Sequence, residues 1–137
     1  MNMIKMYTDA STKNNPGPSG VGIVISTEDR HEQLSIALEK EMSNHEAEFE
    51  ALLKGLHYLI EHNLTDETLM MYTDSKLVAS AVKKNYVKKD LFNVHLTTIQ
   101  ERLTHFPLFF IEWIPESKNK GADNLAKQAL QKIISKK

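Results

Sequence analysis

Four short stretches each place an acid where a fold would expose it: Asp9 in Tyr7-Thr8-Asp9, Glu48 in Asn44-His45-Glu46-Ala47-Glu48, Asp74 in Tyr72-Thr73-Asp74-Ser75 and Asp123 in Lys120-Gly121-Ala122-Asp123. Two carboxylates about 4 Å apart repel by roughly 4 kcal/mol at an effective dielectric near 20, so four that converge require a cation. Oxygen ligands suit the hard ions Mg²⁺ and Mn²⁺. Two such ions about 3.5–4 Å apart can activate water and stabilise a leaving oxygen, which is phosphodiester chemistry. The chain has no cysteine, so disulfides, thiolate nucleophiles and thiolate metal sites are excluded.

The elements that must carry these acids are legible in the apolar patterning. Met3 to Thr8 reads as a buried strand ending at Asp9, and Asn14 to Gly20 as a turn. Val21 to Ser26 is a second strand, with Gly22 where a close backbone approach is needed. Leu34, Ile36 and Leu38 alternate as a third strand. Ser43 or Asn44 caps a helix with Ala47, Ala51, Leu52, Leu56 and Leu59 inward and Asn63 as a left-handed terminator. Thr68 to Thr73 and Leu108 to Ile114 read as the remaining strands. Further helices are expected over 75–84, over 91–105 with Leu91, Val94, Ile99 and Leu103 inward, and over 121–135 with Leu125, Ala129 and Ile133 inward.

This order implies an α/β fold whose mixed sheet is flanked by helices, because strand-helix-strand crossovers demand parallel neighbours while the opening hairpins are antiparallel. Ligands in such sheets sit beyond the carboxyl ends of parallel strands, which would let Asp9 and Asp74 project into one crevice. Glu48 shares a helix face with Leu52 and turns partly inward, whereas Glu46 and Glu50 are assigned to solvent. Trp113 and Tyr72 read as core aromatics. His31, His57, His62, His95 and His105 form no spaced zinc motif.

At 137 residues, with 41% hydrophobic and 26% charged content, the chain can bury one ordinary core, and a single domain spanning 1–137 is expected. No segment approaches eighteen apolar residues, and the run Met1 to Met6 passes straight into polar sequence. Neither membrane insertion nor export is expected, and the location read from this is cytoplasmic. The net charge of -1 conceals a split: residues 1–75 hold 5 Lys/Arg and 13 Asp/Glu, residues 76–137 hold 12 and 5, giving -8 and +7. That split can set a cation site beside a surface that attracts polyanions, although solvated helix faces produce the same count.

The motifs resemble the ribonuclease H family, type 1. The matching words are Tyr7-Thr8-Asp9-Ala10-Ser11 followed by Asn15-Pro16-Gly17-Pro18-Ser19-Gly20-Val21-Gly22, then Asn44-His45-Glu46-Ala47-Glu48, Tyr72-Thr73-Asp74-Ser75-Lys76, and Asn119-Lys120-Gly121-Ala122-Asp123-Asn124-Leu125-Ala126. The resemblance implies a ribonuclease H-like five-stranded mixed sheet with its first three strands antiparallel. It also implies an endonuclease that cuts the RNA strand of RNA/DNA hybrids to leave 5′-phosphate and 3′-hydroxyl ends. Asp9, Glu48, Asp74 and Asp123 match the family's catalytic metal-binding quartet, with Mg²⁺ or Mn²⁺ as cofactor and two ions once substrate is bound. Asn15 and Asn44 match positions that read the RNA strand, where a carboxamide can donate to and accept from a 2′-hydroxyl, and Ser43 matches a contact to a DNA phosphate. Turn and helix capping by these residues is an equally available role.

Several departures stand beside the match. The loop Trp113 to Lys120 has no histidine where many bacterial members have one, leaving Glu116 or Lys118 as substitutes. His45 replaces a second asparagine, and Lys76 replaces a glutamine. Lysine can contact phosphate but cannot accept from a hydroxyl, so strand discrimination is expected to be weaker or differently made. The basic, tryptophan-containing protrusion of the bacterial enzymes is replaced by Lys83-Lys84-Asn85-Tyr86-Val87-Lys88-Lys89, as in the protrusion-free bacterial and archaeal-like branch. Lys83, Lys84, Lys88 and Lys89 could still hold the DNA backbone. A monomer is expected, with no obligate protein partner and no N-terminal hybrid-binding domain. The rival readings are a noncatalytic hybrid-binding or regulatory domain, and an exonuclease of the same general fold, against which Asp9-Ala10-Ser11 replaces an Asp-x-Glu strand.

Overall fold

The computed structural model describes residues 3–136; Met1 and Asn2, which open the N-terminal run, and Lys137 lie outside the described residues. The strands β1 (Met3–Thr12), β2 (Ser19–Ser26), β3 (His31–Ala37), β4 (Thr68–Thr73) and β5 (Phe109–Trp113) form one sheet in the order β3-β2-β1-β4-β5. β1, β2 and β3 pair antiparallel, while β4 is parallel to both β1 and β5. The helices are α1 (Asn44–Glu61), α2 (Lys76–Lys84), α3 (Asp90–Leu103) and α4 (Lys120–Ser135), with a 3-10 turn at Glu116–Lys118. The expected fold class is therefore the observed one.

Strand alternation divides the molecule into layers. Ile4 and Met6 of β1, Ile23 and Ile25 of β2, and Leu69 and Met71 of β4 turn to one face, where Phe49, Leu52, Leu56 and Leu59 of α1 complete the main core. α2 and α3 pack on that side. The intervening β2 positions Gly20 and Gly22 face α4, which lies across β1, β2 and β3 on the other side. A methyl group at Gly20 would stand 2.6 Å from the Ala126 carbonyl oxygen, and one at Gly22 would collide with the Ala122 carbonyl. The close approach expected at Gly22 is thus the seat of α4, whose facing residues Ala122, Ala126 and Ala129 are correspondingly small.

The first strand differs from the sequence reading. It does not end at Thr8, because Asp9 to Thr12 stay paired with β2 from Asp9↔Gly22 to Thr12↔Ser19. Its parallel ladder with β4 does end there, at Thr8↔Thr73. Asp9 lies inside a strand, one residue past its parallel neighbour.

Helix ends follow local chemistry. Ser43 is the N-cap of α1: its hydroxyl accepts from the Glu46 N–H at 3.2 Å and the Glu46 carboxylate accepts from the Ser43 N–H at 3.5 Å, a reciprocal box worth about 1 kcal/mol. Asn63, at φ 57°, follows the last turn as expected, and Asn85, at φ 50°, ends α2.

Two stripes are corrected. Phe92, Leu96, Ile99 and Leu103 form the buried face of α3, while Leu91 and Val94 are exposed, because Phe92 stacks on Phe49 with centroids 5.5 Å apart and fixes the rotation of the helix. In α4 the buried set is Ala122, Ala126, Ala129 and Leu130; Leu125 and Ile133 are only half-buried, since the three alanines make the closest approach to the sheet. Glu46 and Glu50 are likewise not simply solvated. One turn apart on α1, they flank His95 of α3 at 3.5 and 3.6 Å, and the Glu50 carboxylate, as acceptor for the ring N–H, holds the imidazole pKa above its ordinary value.

Replacing Gly22 by alanine should force α4 off the sheet and destabilise the fold by about 1–3 kcal/mol, measured by urea unfolding. An unchanged midpoint would show that α4 is not seated on this backbone.

Candidate metal centre

Three elements deliver carboxylates to one point at the edge of the sheet. Asp9 comes from β1 just where its parallel partner stops, Asp74 follows the last residue of β4, and Glu48 comes from the second turn of α1. The inward turn expected for Glu48 is observed: Glu48 is 6% exposed, between buried Ala47 and Phe49. One carboxylate oxygen from each of the three acids lies within 4.8 Å of the others.

Asp123, in the first turn of α4, lines the same cleft but stands outside this close cluster. It is near enough to add to the rise of the Asp9 carboxyl, and its Oδ2 is 3.0 Å from the Lys127 ammonium one turn along the helix. The four acids expected to meet are arranged as three together and one beside them, the fourth already paired with a cation.

The protonation of the cluster shows its cost. Burial, followed by the charge of Asp74, pushes the Asp9 carboxyl up to about 8. Burial, then the charges of Asp9 and Asp74, raises Glu48 well above the usual carboxylate range, and burial raises Asp74 as well. Glu48 Oε1 is buried with no hydrogen-bond partner. An orphaned carboxylate oxygen facing two other acids has unused capacity that a cation satisfies, and the all-oxygen donor set fits Mg²⁺ or Mn²⁺.

The cleft above the cluster has a volume of about 550 Å³. Asn44, His45 and Lys76 line it, as expected of substrate contacts. Asn15 is outside the lining but adjoins it, its Oδ1 accepting from the Asn44 N–H at 2.8 Å. Ser43 is engaged in its cap. Lys83, Lys84, Lys88 and Lys89 are exposed at the end of α2 and in the connection to α3, away from the lining, and that connection holds no inserted protrusion.

Trp113 and Glu116 also line the cleft. Trp113 is 41% exposed and is not a core residue. Its indole N–H donates to the Asp74 carbonyl at 3.0 Å, and the Lys76 ammonium sits 5.1 Å from its ring centroid. It is the last residue of edge strand β5, and only the start of α2 reaches it. Glu116 opens the 3-10 turn that occupies the loop lacking histidine, whereas Lys118 does not reach the lining. The tryptophan's position beside Asp74 had no sequence signal, since it depends on β4 and β5 pairing as Thr73↔Trp113.

Comparison with known proteins agrees with this geometry. A family model described as reverse transcriptase-like matches residues 7–129. EbsB of Enterococcus faecalis, assigned as a hydrolase, is 44% identical over 135 residues, covering 98% of this chain and 99% of EbsB. The structure of LC11-RNase H1, isolated from compost, superposes with a TM-score of 0.88 at 31% identity, covering 98% and 99% of the two chains; the same protein is known in complex with an RNA/DNA hybrid. RNase H1 of the archaeon Halobacterium salinarum gives 0.86 at 26% identity, covering 95% and 98%. The fold and acid cluster define a ribonuclease H-like hydrolase. This chain belongs to the ribonuclease H family, type 1, as do the compost and Halobacterium salinarum RNase H1 enzymes.

The raised pKa values set a pH dependence. For Asp9 the folded value is about 8 against an ordinary 3.8, so its contribution to stability is full below pH 3.8 and is lost as pH rises to about 8. Glu48 and Asp74 act in the same direction. The melting temperature in EDTA should fall between about pH 5 and pH 8, with Mg²⁺ restoring more at the higher pH. A Mg²⁺ effect that is absent or independent of pH would contradict the cluster as a cation site.

Proposed function

We propose that this protein is an endonuclease that hydrolyses the RNA strand of RNA/DNA hybrids, leaving 5′-phosphate and 3′-hydroxyl ends. The observation that carries the reading is the buried Asp9-Glu48-Asp74 cluster, open to a cleft large enough for a backbone phosphate. Asp9, Glu48 and Asp74 would hold the first divalent ion, and Asp123 would join them for a second when substrate arrives. When bound, the ions supply Lewis acidity that activates water and stabilises the departing 3′-oxygen.

The chain's own side chains do the rest. Asn44, with its N–H anchored on Asn15, presents a carboxamide to the minor groove, where donor and acceptor together suit a ribose 2′-hydroxyl. His45 and Lys76 frame the groove on either side of the cluster, Lys76 offering a charge to phosphate. The basic connection Lys83 to Lys89 would track the DNA strand, and Ser43 a phosphate near the start of α1. Action as a monomer, with no obligate protein partner, is part of this reading. The overall likeness to LC11-RNase H1, known with a bound hybrid, supports the choice of substrate. Among the described residues no helix is long and apolar enough to cross a membrane; action on nucleic acid in the cytoplasm is part of the proposal.

The test is gel analysis of labelled RNA/DNA, RNA/RNA and DNA/DNA duplexes with Mg²⁺ or Mn²⁺. Internal cuts are expected in the RNA of the hybrid alone, with a loss of about 100-fold or more in Asp74→Asn. Equal activity in that variant would overturn the assigned centre, and binding without cleavage by the unaltered protein would identify a noncatalytic hybrid-binding domain. Replacing Lys83, Lys84, Lys88 and Lys89 by glutamine should reduce the slope of log affinity against log salt by about 1 for each lysine that meets a phosphate. An unchanged slope would remove that connection from the interface.

A further inference from the structure

Asn119 precedes α4 as its N-cap and is 2% exposed. Asparagine at such a position ordinarily turns its side chain onto the first free N–H groups of the helix. Here it makes no such bond. Its Nδ2 donates instead to the Thr8 carbonyl at 2.9 Å, a buried bond across 111 residues of sequence. The side chain also lies close enough to the Asp74 carboxyl to offset part of the rise that burial causes there. The Thr8 carbonyl and the Asp74 carboxylate are both acceptors, so the amide nitrogen, with its two hydrogens, is the end that suits them. Oδ1 is left buried and without a partner.

The main chain of the same residue opens α4, its carbonyl accepting the first helical bond from the Asp123 N–H at 3.0 Å, so holding this side chain also holds the start of the helix that carries Asp123. One residue therefore adjoins the peptide that precedes Asp9, the carboxyl of Asp74 and the backbone of Asp123. These three acids sit on separate elements, β1, the end of β4 and α4. An apolar side chain of similar size could fill the space, but it could not donate to a carbonyl and a carboxylate at once, and it would not leave an orphaned oxygen.

We infer that Asn119 is a positioning residue that sets the spacing of Asp9, Asp74 and Asp123 for divalent-ion binding, at the expense of capping its own helix. This rests on the metal-dependent reading above, and it assigns Asn119 no contact with substrate. Loss of an outer partner of this kind typically weakens metal binding by about 10- to 100-fold.

The experiment compares the unaltered protein with Asn119→Ala and Asn119→Ser, reading Mn²⁺ binding by electron paramagnetic resonance without substrate, thermal melting, and kcat and KM on the hybrid. Serine caps helices well but is too short to span from Thr8 to Asp74. Asn119→Ser should therefore melt near the unaltered protein yet bind Mn²⁺ at least about tenfold more weakly, with kcat reduced and KM unchanged. Asn119→Ala should lose both melting temperature and ion affinity, and if it fails to fold the serine variant decides. Full Mn²⁺ affinity in Asn119→Ser would overturn the inference and leave Asn119 a structural residue only. Absence of Mn²⁺ binding by the unaltered protein would overturn the metal-dependent reading itself, and this inference with it.

Discussion

Mutual repulsion among Asp9, Glu48 and Asp74 is the constraint around which the molecule is arranged. Their oxygens are drawn within 4.8 Å of one another in a partly dry site, where Coulomb energies are far larger than in water. The raised carboxyl of Asp9, to about 8, expresses that repulsion together with the desolvation of burial. A flexible scaffold would relax by separating the charges. This one cannot, because each acid is attached to an element that is packed for other reasons.

Glu48 is held by its neighbours on α1, where Phe49 and Leu52 enter the main core and the Ser43 box fixes the helix start. Asp9 is gripped through the β2 ladder beyond the point where β4 leaves it. The position of Asp123 is set by glycines on another strand, since α4 can approach β2 only where Gly20 and Gly22 carry no side chain. Substitutions distant from the cluster can therefore alter its geometry through the backbone, and stability and ion binding are linked through the same packing.

Elements with strong periodicity or clear punctuation were legible in the sequence: β4 over Thr68–Thr73, the α1 stripe and Asn63 as a terminator all follow from local chemistry. The reading faltered where tertiary contacts decide. β1 runs on past Thr8 because β2, not its own sequence, keeps it extended. Leu91 and Val94 are as apolar as Leu96, yet Phe92 takes the core because Phe49 faces it. Asp9, Glu48 and Asp74 could be grouped from motif and element order, but the separate stance of Asp123 depends on where α4 seats on β2, and Asn119 looked like an ordinary helix start. Trp113 read as core because nothing in a sequence reveals that a strand lies at the edge of its sheet.

The unequal ladders of β1 have one more consequence. From Lys5 to Thr8 the strand is bonded on both sides; from Asp9 to Thr12 it is bonded to β2 alone. The sheet is thereby forked, and the cleft is the gap between its tines. Its width is governed by the length of β4 rather than by any loop. Extending β4 by a single bonded pair would zip the fork past Asp9 and close the mouth, and the tip of the hairpin from β1 to β2 reaches the same gap through Asn15, which holds the Asn44 N–H. This plan thus ties the cleft to a fixed end for the fourth strand and to one asparagine in the turn.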